Sequence, residues 1–181
     1  MKNIPNILSM SRILVIPILI GAFYLPFPWS HWVAFVVFTL AGITDYFDGY
    51  FARAYKVTSR LGQFLDPIAD KLMIAATLLM LTAFNVIDGI HILAAMVILL
   101  RELLVSGLRE FLSGMKVSIP VTRIAKWKTA FQLIALGALL IGNAAPAWFP
   151  AMGIGLTLLW LAAIFTLYTG YDYLRVGLKH F

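Results

Sequence analysis

The sequence contains no cysteine and few charged side chains, and both absences narrow the chemistry open to it. Without a thiol, the chain can form no disulfide, no thiolate nucleophile and no cysteine metal site. Charged residues make up only 12% of its 181 residues and apolar residues make up 62%, whereas a soluble domain has about 25% charged residues. Together with a mean hydropathy of +0.93, this composition predicts an integral membrane protein.

Lysine and arginine are also absent from three short connections between apolar runs, at residues 25–31, 85–91 and 143–149. The apolar runs predict transmembrane helices, because a bilayer core of about 30 Å requires about 20 mostly apolar residues per span. Six such runs lie near residues 13–28, 31–50, 68–87, 90–108, 129–145 and 150–171. The sequence therefore predicts a single all-α transmembrane domain over residues 1–181.

The basic residues lie at the termini and in the other connections. They include Lys2, Arg12, Arg53, Lys56, Arg60, Arg109, Lys116, Arg123, Lys126, Lys128, Arg175 and Lys179. By the positive-inside rule, this asymmetry predicts that both termini and these connections are cytoplasmic. The opening stretch KNIPNILSMSR, residues 2–12, is expected to be a short interfacial segment before the first span. Anionic lipid headgroups account for the net charge of +6, so no nucleic-acid partner is expected.

Acidic residues are scarce, yet four of the eight carboxylates fall within residues 45–70. Residues three or four apart share a helix face, so this region predicts two stripes of acidic and small side chains. The first contains Asp45, Asp48, Gly49 and Ala52, and the second contains Gly62, Asp66 and Asp70. Because the two helices follow each other in the chain and meet at the cytoplasmic side, we expect the stripes to form one pocket.

This pocket needs a positive partner, because carboxylates inside an apolar element are costly and repel one another. For any single aspartate, a solvated position or a pair with Arg53, Arg60 or Lys71 is the alternative. A site with oxygen ligands only suits a hard divalent ion, and Mg²⁺ usually completes its shell with substrate phosphates. Small residues on the same faces let a ligand approach the backbone closely. The sequence therefore predicts a metal site for a phosphorylated, nucleotide-like substrate.

The acidic segment also resembles a known signature. Asp45-x-x-Asp48-Gly49-x-x-Ala52-Arg53, eight further residues and then Gly62-x-x-x-Asp66-x-x-x-Asp70 look like the motif of the CDP-alcohol phosphotransferases. This resemblance covers essentially the whole chain. It implies an enzyme that transfers a phosphoryl-linked group from a CDP-activated lipid to a hydroxyl acceptor and releases CMP. It further implies a homodimer in the inner (cytoplasmic) membrane, multi-pass, with the active site facing the cytoplasm.

The resemblance assigns roles to the residues of the motif. The expected metal ligands, for two Mg²⁺ ions or alternatively Mn²⁺, are Asp45, Asp48, Asp66 and Asp70. The residues expected to bind the CDP-lipid are Asp48, Gly49, Ala52, Arg53, Gly62 and Asp66. In addition, Asp70 is expected to be catalytic, taking the proton of the acceptor hydroxyl that attacks the β-phosphorus of the CDP-lipid.

Two downstream segments bear on the acceptor. LLRELLVSGLREFL, residues 99–112, and RIAKWKTAFQ, residues 123–132, resemble the corresponding segments of bacterial phosphatidylglycerophosphate synthases, which implies CDP-diacylglycerol and glycerol 3-phosphate as substrates. The expected pocket for the acceptor phosphate contains Arg101, Arg109, Arg123, Lys126 and Lys128. Arg101 lies deep enough in its span to need an intramembrane partner. A structural pair with Glu102, Glu110 or one of the aspartates is therefore the alternative for Arg101.

Other functions stay open at this point. The same motif would serve a different acceptor, such as inositol phosphate, serine or phosphatidylglycerol. An intramembrane prenyltransferase is expected to show two separated aspartate-rich motifs, and this sequence has one cluster. A divalent-cation transporter is expected to hold its acids near the membrane midplane, often in related halves. Release of CMP from a CDP-lipid distinguishes these classes.

Overall fold

The computed structural model describes the backbone of residues 4–55, 60–114 and 123–178 and the side chains of residues 13–44, 68–112, 114, 124 and 126–175. Within these ranges the chain forms six α-helices, one short 3-10 helix and no strand. The helices are α1 (Ile4–Ala22), α2 (Trp29–Tyr55), α3 (Arg60–Ala83), α4 (His91–Gly114), α5 (Arg123–Ile141) and α6 (Ala151–Leu178). The prediction of an all-α chain is confirmed for this part of the protein.

Several helices extend beyond the spans predicted from hydropathy. The second apolar run ends near residue 50 and the third begins near residue 68, but α2 reaches Tyr55 and α3 begins at Arg60. Likewise α1 begins at Ile4, so the opening stretch is helical from residue 4 and continuous with the first apolar run; that it lies at the membrane interface stays a prediction. Hydropathy registers only the apolar part of a helix, whereas the helical backbone continues into polar sequence. The aspartate motif consequently lies on helical backbone in both of its halves.

Contacts between helices show that the bundle has two distinct ends. Lys71, near the start of α3, donates a hydrogen bond to Ser106 in the second half of α4. His31, near the start of α2, donates through Nδ1 to the carbonyl oxygen of Leu140 near the end of α5, at 2.9 Å. We call the first of these the basic end; there α2, α4 and α6 end and α3 and α5 begin. The aspartate motif and most basic residues belong to this end.

Aromatic and histidine side chains connect the helices at the opposite end. The ring of Phe84, just after α3, lies 5.5 Å from Phe23 and 5.3 Å from Tyr24, which follow α1. The indole nitrogen of Trp160 on α6 donates to Nδ1 of His91 at the start of α4, at 3.0 Å. Together with the bond between His31 and Leu140, these contacts link α1 to α3, α4 to α6 and α2 to α5 at this end.

Two helices within the described residues are long and apolar enough to cross a membrane, His91–Leu112 and Ala151–Arg175. Shorter apolar stretches occupy Ile13–Ala22 and Trp29–Thr44. Large apolar side chains on α4 and α6 point away from the bundle and are more than half exposed, among them Leu93, Leu100, Leu103, Ile164 and Leu167. Alanines and leucines of the same helices are buried inside. Surfaces of this kind are suited to an apolar surrounding medium.

Among the described residues, the most extensive helix contact joins α5 and α6. Leu139 of α5 is fully buried, as are Leu159 and Ala162 of α6. Gly155 allows the two helices to approach, because a Cβ added to it would lie 2.7 Å from Cγ of Leu139 and 3.1 Å from the backbone nitrogen of that residue. Contact this close involves backbone and cannot be relieved by turning a side chain alone.

Replacing Gly155 by alanine is therefore expected to destabilise the bundle, because α5 and α6 would have to separate. Overpacking of this kind costs about 1–3 kcal/mol, which corresponds to a fall in Tm of roughly 2–12 °C. The measurement is thermal unfolding of the detergent-solubilised protein. Gly153→Ala is the matched control, because a Cβ at Gly153 meets nothing within 4 Å. Equal Tm values for the two variants would contradict the close approach.

Candidate active site

The two halves of the aspartate motif lie at the basic end of the bundle. Asp48 is seven residues before the end of α2, and Asp66 is six residues after the start of α3. At about 1.5 Å of helix per residue, each lies roughly 10 Å from its helix end. The side chains at most motif positions lie outside the described ones: Asp45, Asp48, Gly49, Ala52, Arg53, Gly62 and Asp66. That the two stripes face each other therefore stays a prediction.

Asp70 is the motif aspartate whose side chain the structure describes, and it is half-buried on α3. The next residue, Lys71, is also half-buried and donates its ammonium hydrogen to Oγ of Ser106 on α4. This bond joins α3 to α4 directly beside Asp70. The described side chains contain no group of three or more His, Cys, Asp or Glu that could hold a metal. A carboxylate site for a metal would therefore need the aspartates of α2 and α3 together.

A buried ion pair connects α4 with α5. Lys128 has a side chain that is 5% exposed, and its ammonium group donates to Oε1 of Glu102 on α4. The other carboxylate oxygen of Glu102, Oε2, lies 3.8 Å from Nη1 of Arg101. The three groups carry two positive charges and one negative charge, so the cluster has a net charge of +1. A buried lysine requires such a partner, because an uncompensated charge in an apolar interior is costly.

Arg101 also binds α6. Its Nε donates to the carbonyl oxygen of Thr166 at 3.1 Å, and its Nη2 donates to Oγ1 of Thr169 at 2.8 Å. The guanidinium carbon lies 5.8 Å from the ring centre of Tyr173. Gly170 makes room for this arrangement, since a Cβ there would lie 3.1 Å from Cγ of Arg101. Arg101 thus has partners inside the helix bundle, as the sequence led us to expect, and Glu102 is the acid among them.

The predicted acceptor residues divide into two groups. Arg101 and Lys128 contact Glu102 and are largely buried. Arg109 and Lys126 are exposed, two helical turns after Arg101 on α4 and near the start of α5. The side chain of Arg123 lies outside the described residues. An anion arriving from the basic end would meet the exposed pair first and the buried pair behind it.

Sequence reasoning missed several polar residues around this cluster, namely Ser106, Gln132, Thr166, Thr169 and Tyr173. Ser and Thr give little signal because they are common in membrane helices, where they bond to carbonyls of their own helix. Gln132 was recognisable, because it follows Lys128 by one helical turn in an apolar stretch. It is fully buried, and neither Oε1 nor Nε2 has a hydrogen-bond partner among the described residues.

Comparison with known proteins identifies the family. The model of the CDP-alcohol phosphatidyltransferases matches residues 2–168. The chain belongs to this family. The resemblance inferred from the aspartate motif is thereby confirmed, and the protein is a transferase of the CDP-alcohol phosphatidyltransferase type. The reaction of this family is therefore to be sought at the aspartate motif, at the basic end of the bundle.

Relatives within the family are similar over nearly their whole length. The chain is 45% identical over 180 residues to the CDP-diacylglycerol–glycerol-3-phosphate 3-phosphatidyltransferase of Rickettsia felis, covering 99% of this chain and 98% of that protein. It is 40% identical to the protein of the same name from Pectobacterium atrosepticum, with 97% and 94% covered. Against the one from Cereibacter sphaeroides it is 36% identical, with 98% and 96% covered.

The buried ion pair predicts that replacing Lys128 lowers the stability of the protein far more than replacing Lys126, which is also on α5. Lys128→Met leaves Glu102 buried beside Arg101 alone and is expected to destabilise the protein by about 3–5 kcal/mol. Lys126→Met is the matched control: it makes the same change two residues earlier, at an exposed side chain, and should alter stability by no more than about 0.5 kcal/mol. Both are measured by denaturant or thermal unfolding in detergent. Similar losses in the two variants would contradict the assignment of Lys128 to a buried ion pair.

Proposed function

We propose that this protein transfers the phosphatidyl group of CDP-diacylglycerol to glycerol 3-phosphate, which releases CMP and forms phosphatidylglycerophosphate, a step of phospholipid biosynthesis. The observation that carries this proposal is the similarity of 36–45% identity, over nearly the entire chain, to relatives that bear the name of this reaction. The arrangement of the basic end agrees with it, because acidic and cationic groups lie near the same helix ends there.

The proposed setting is the inner (cytoplasmic) membrane. Residues 1–181 would form one domain in which all six helices cross the bilayer, with both termini and the basic end on the cytoplasmic side. The absence of Lys and Arg from the connections at the opposite end supports this orientation. The apolar exteriors of α4 and α6 support lipid exposure. Glycerol 3-phosphate is water-soluble and would reach the site from the cytoplasm, while CDP-diacylglycerol would enter from the bilayer.

The proposed chemistry begins at the acceptor hydroxyl. Asp70 accepts the hydroxyl proton, and the oxygen forms a bond to the β-phosphorus of CDP-diacylglycerol. The bond from this phosphorus to the bridging oxygen breaks, and CMP leaves with the electron pair. Asp70 lies at the basic end on α3, where its backbone is fixed to α4 through the neighbouring Lys71. A fixed base contributes by orientation, because a hydroxyl held at bonding distance loses little further entropy in the reaction.

The donor set fits a divalent cation, which the family generally requires. We propose that the four carboxylates Asp45, Asp48, Asp66 and Asp70 hold two Mg²⁺ ions, or alternatively Mn²⁺, since oxygen ligands suit hard cations. When bound, such ions neutralise negative charge on the diphosphate and on the departing CMP. The protein contributes the spacing of three and four residues that brings the acids of each helix to one face.

The CDP-lipid would lie against the small residues of the motif. Gly49, Ala52 and Gly62 present little side chain, so the cytidine can approach the helical backbone closely. Arg53 follows directly and can pair with a phosphate of the diphosphate. Asp48 and Asp66 complete the contacts we propose for this subsite. All six positions lie on the helical turns of α2 and α3 nearest the basic end.

The acceptor phosphate would bind the exposed cations Arg109 and Lys126, together with Arg123. Arg101 and Lys128 lie deeper and are already bonded within the protein, so we propose that they act on the acceptor through the net positive charge of their cluster with Glu102. A dianion close to four aspartates would otherwise be repelled. A homodimer is also proposed, on the family resemblance alone.

The proposed roles of the motif aspartates predict that turnover falls when any one of them is replaced by the uncharged asparagine. Asp45→Asn, Asp48→Asn or Asp66→Asn should lower CMP release from CDP-diacylglycerol by orders of magnitude, because each removes a carboxylate from the cation site. Asp70→Asn should lower kcat with little change in the KM for glycerol 3-phosphate. Asp88→Asn, at an exposed aspartate of the opposite end, is the control and should have wild-type turnover. Near-normal activity without a divalent cation in any of the first three variants would overturn the assignment.

Variants of the proposed acceptor site should differ in their kinetics from the aspartate variants. Arg109→Ala and Lys126→Ala should raise the KM for glycerol 3-phosphate before they lower kcat, because they remove binding groups and not reacting ones. Loss of one charge-assisted hydrogen bond of about 1.5–3 kcal/mol corresponds to a rise of roughly 10–150-fold. Competition assays with inositol phosphate, serine and phosphatidylglycerol test the choice of acceptor. Preference for any of these would replace glycerol 3-phosphate as acceptor while leaving the family assignment intact.

A further inference from the structure

Glu102 belongs neither to the aspartate motif nor to the cations predicted for the acceptor, yet it contacts two of those cations. One of its carboxylate oxygens accepts from Lys128 of α5, and the other lies 3.8 Å from Nη1 of Arg101. Its side chain is 16% exposed, so these contacts take place largely out of solvent. A carboxylate in this position controls where both cationic groups can lie.

The same face of α4 also reaches α3. Ser106 follows Glu102 by four residues and therefore shares its helix face. Its hydroxyl accepts from Lys71, which is adjacent in sequence to Asp70. One helical face thus binds α3 beside the proposed base and binds α5 at Lys128, two residues from the exposed Lys126. α4 sets the separation between the helix that meets the acceptor hydroxyl and the helix that meets the acceptor phosphate.

Both ends of one small acceptor molecule have to fit between those helices. Glycerol 3-phosphate carries its reacting hydroxyl and its phosphate on a three-carbon chain, so the base and the phosphate cations must lie at a matching separation. Lysine side chains are flexible and would not hold such a separation by themselves. A bond that anchors the buried lysine of α5 to α4 supplies the missing constraint, because it fixes the first turns of α5.

We propose that Glu102 is a positioning residue for the acceptor: by holding Lys128 and, with it, the start of α5, it keeps the phosphate-binding cations at the distance from Asp70 that glycerol 3-phosphate requires. This inference rests on the proposed function. It assigns Glu102 no contact with substrate and no part in proton transfer. Its effect is on the binding of the acceptor, not on that of CDP-diacylglycerol, whose proposed subsite lies on α2 and α3.

Steady-state kinetics of Glu102→Gln in detergent–lipid micelles test the proposal. The amide keeps the shape of the side chain but loses its charge, so Lys128 is no longer held. The more positive cluster would by itself attract the acceptor more strongly, so a rise in the KM for the acceptor reports lost positioning and not lost charge. We expect the KM for glycerol 3-phosphate to rise at least about tenfold, equivalent to about 1.4 kcal/mol, while kcat and the KM for CDP-diacylglycerol stay within about twofold. Glu102→Asp keeps the charge on a shorter side chain and should give an intermediate KM for the acceptor.

If Glu102 has a purely structural role, its variants should lose stability but keep their affinity for the acceptor. In that case the folded fraction or the Tm falls in both variants, but the enzyme that remains folded binds glycerol 3-phosphate with the wild-type KM, and this result would overturn the proposal. If Glu102→Gln does not fold, the acceptor KM of Glu102→Asp decides alone, and an unchanged value again rejects it. Glu110→Gln, the same change at an exposed glutamate of α4, should leave the KM and the Tm unchanged. Absence of acceptor-dependent CMP release in the wild type would instead refute the proposed function.

Discussion

The structure depends on one constraint, that a charge placed inside an apolar helix bundle needs a partner from another helix. Lys128 and Arg101 satisfy this requirement through Glu102, and Arg101 adds bonds to a carbonyl and a hydroxyl of α6. The cluster therefore joins α4, α5 and α6 at a defined relative position. Because the energy of an unpaired buried charge is several kcal/mol, small shifts of any of these helices are opposed. Apolar packing alone is less directional, since hydrophobic side chains tolerate sliding.

The two ends of the bundle are held together by different kinds of interaction. At the opposite end, aromatic rings and neutral hydrogen bonds such as the one between His31 and Leu140 close the connections, and no lysine or arginine is needed there. At the basic end, ion pairs and charged hydrogen bonds replace them, and these can respond to an anionic ligand. Gly155 and Gly170 support the two regions in related ways. One lets α6 approach Leu139, and the other leaves space for the stem of Arg101.

Much of this organisation could be predicted from the sequence, because it depends on local patterns. Apolar runs gave the number of helices, and the fixed spacing of Asp45, Asp48, Asp66 and Asp70 gave the family. The ends of α2 and α3 could not be read from hydropathy, since polar turns continue a helix without an apolar signal. The partner of Arg101 was one of several open possibilities, because Glu102 and Glu110 lie on the same helix and only the side-chain conformations decide which of them it meets. The bond between Lys71 and Ser106 had no sequence signal at all.

Stability does not explain why such a cluster is present. A buried ion pair can commonly be replaced by apolar side chains of similar volume at no cost or with a gain, and an apolar core would satisfy α4, α5 and α6 equally well. The cluster of Arg101, Glu102 and Lys128 also carries more positive charge than its own pairing requires, with a net charge of +1. An excess of this sign in a place of low dielectric attracts an anion more strongly than the same charge would in water. The net positive charge of the cluster is consistent with the acceptor site proposed above, in which it attracts the negatively charged acceptor.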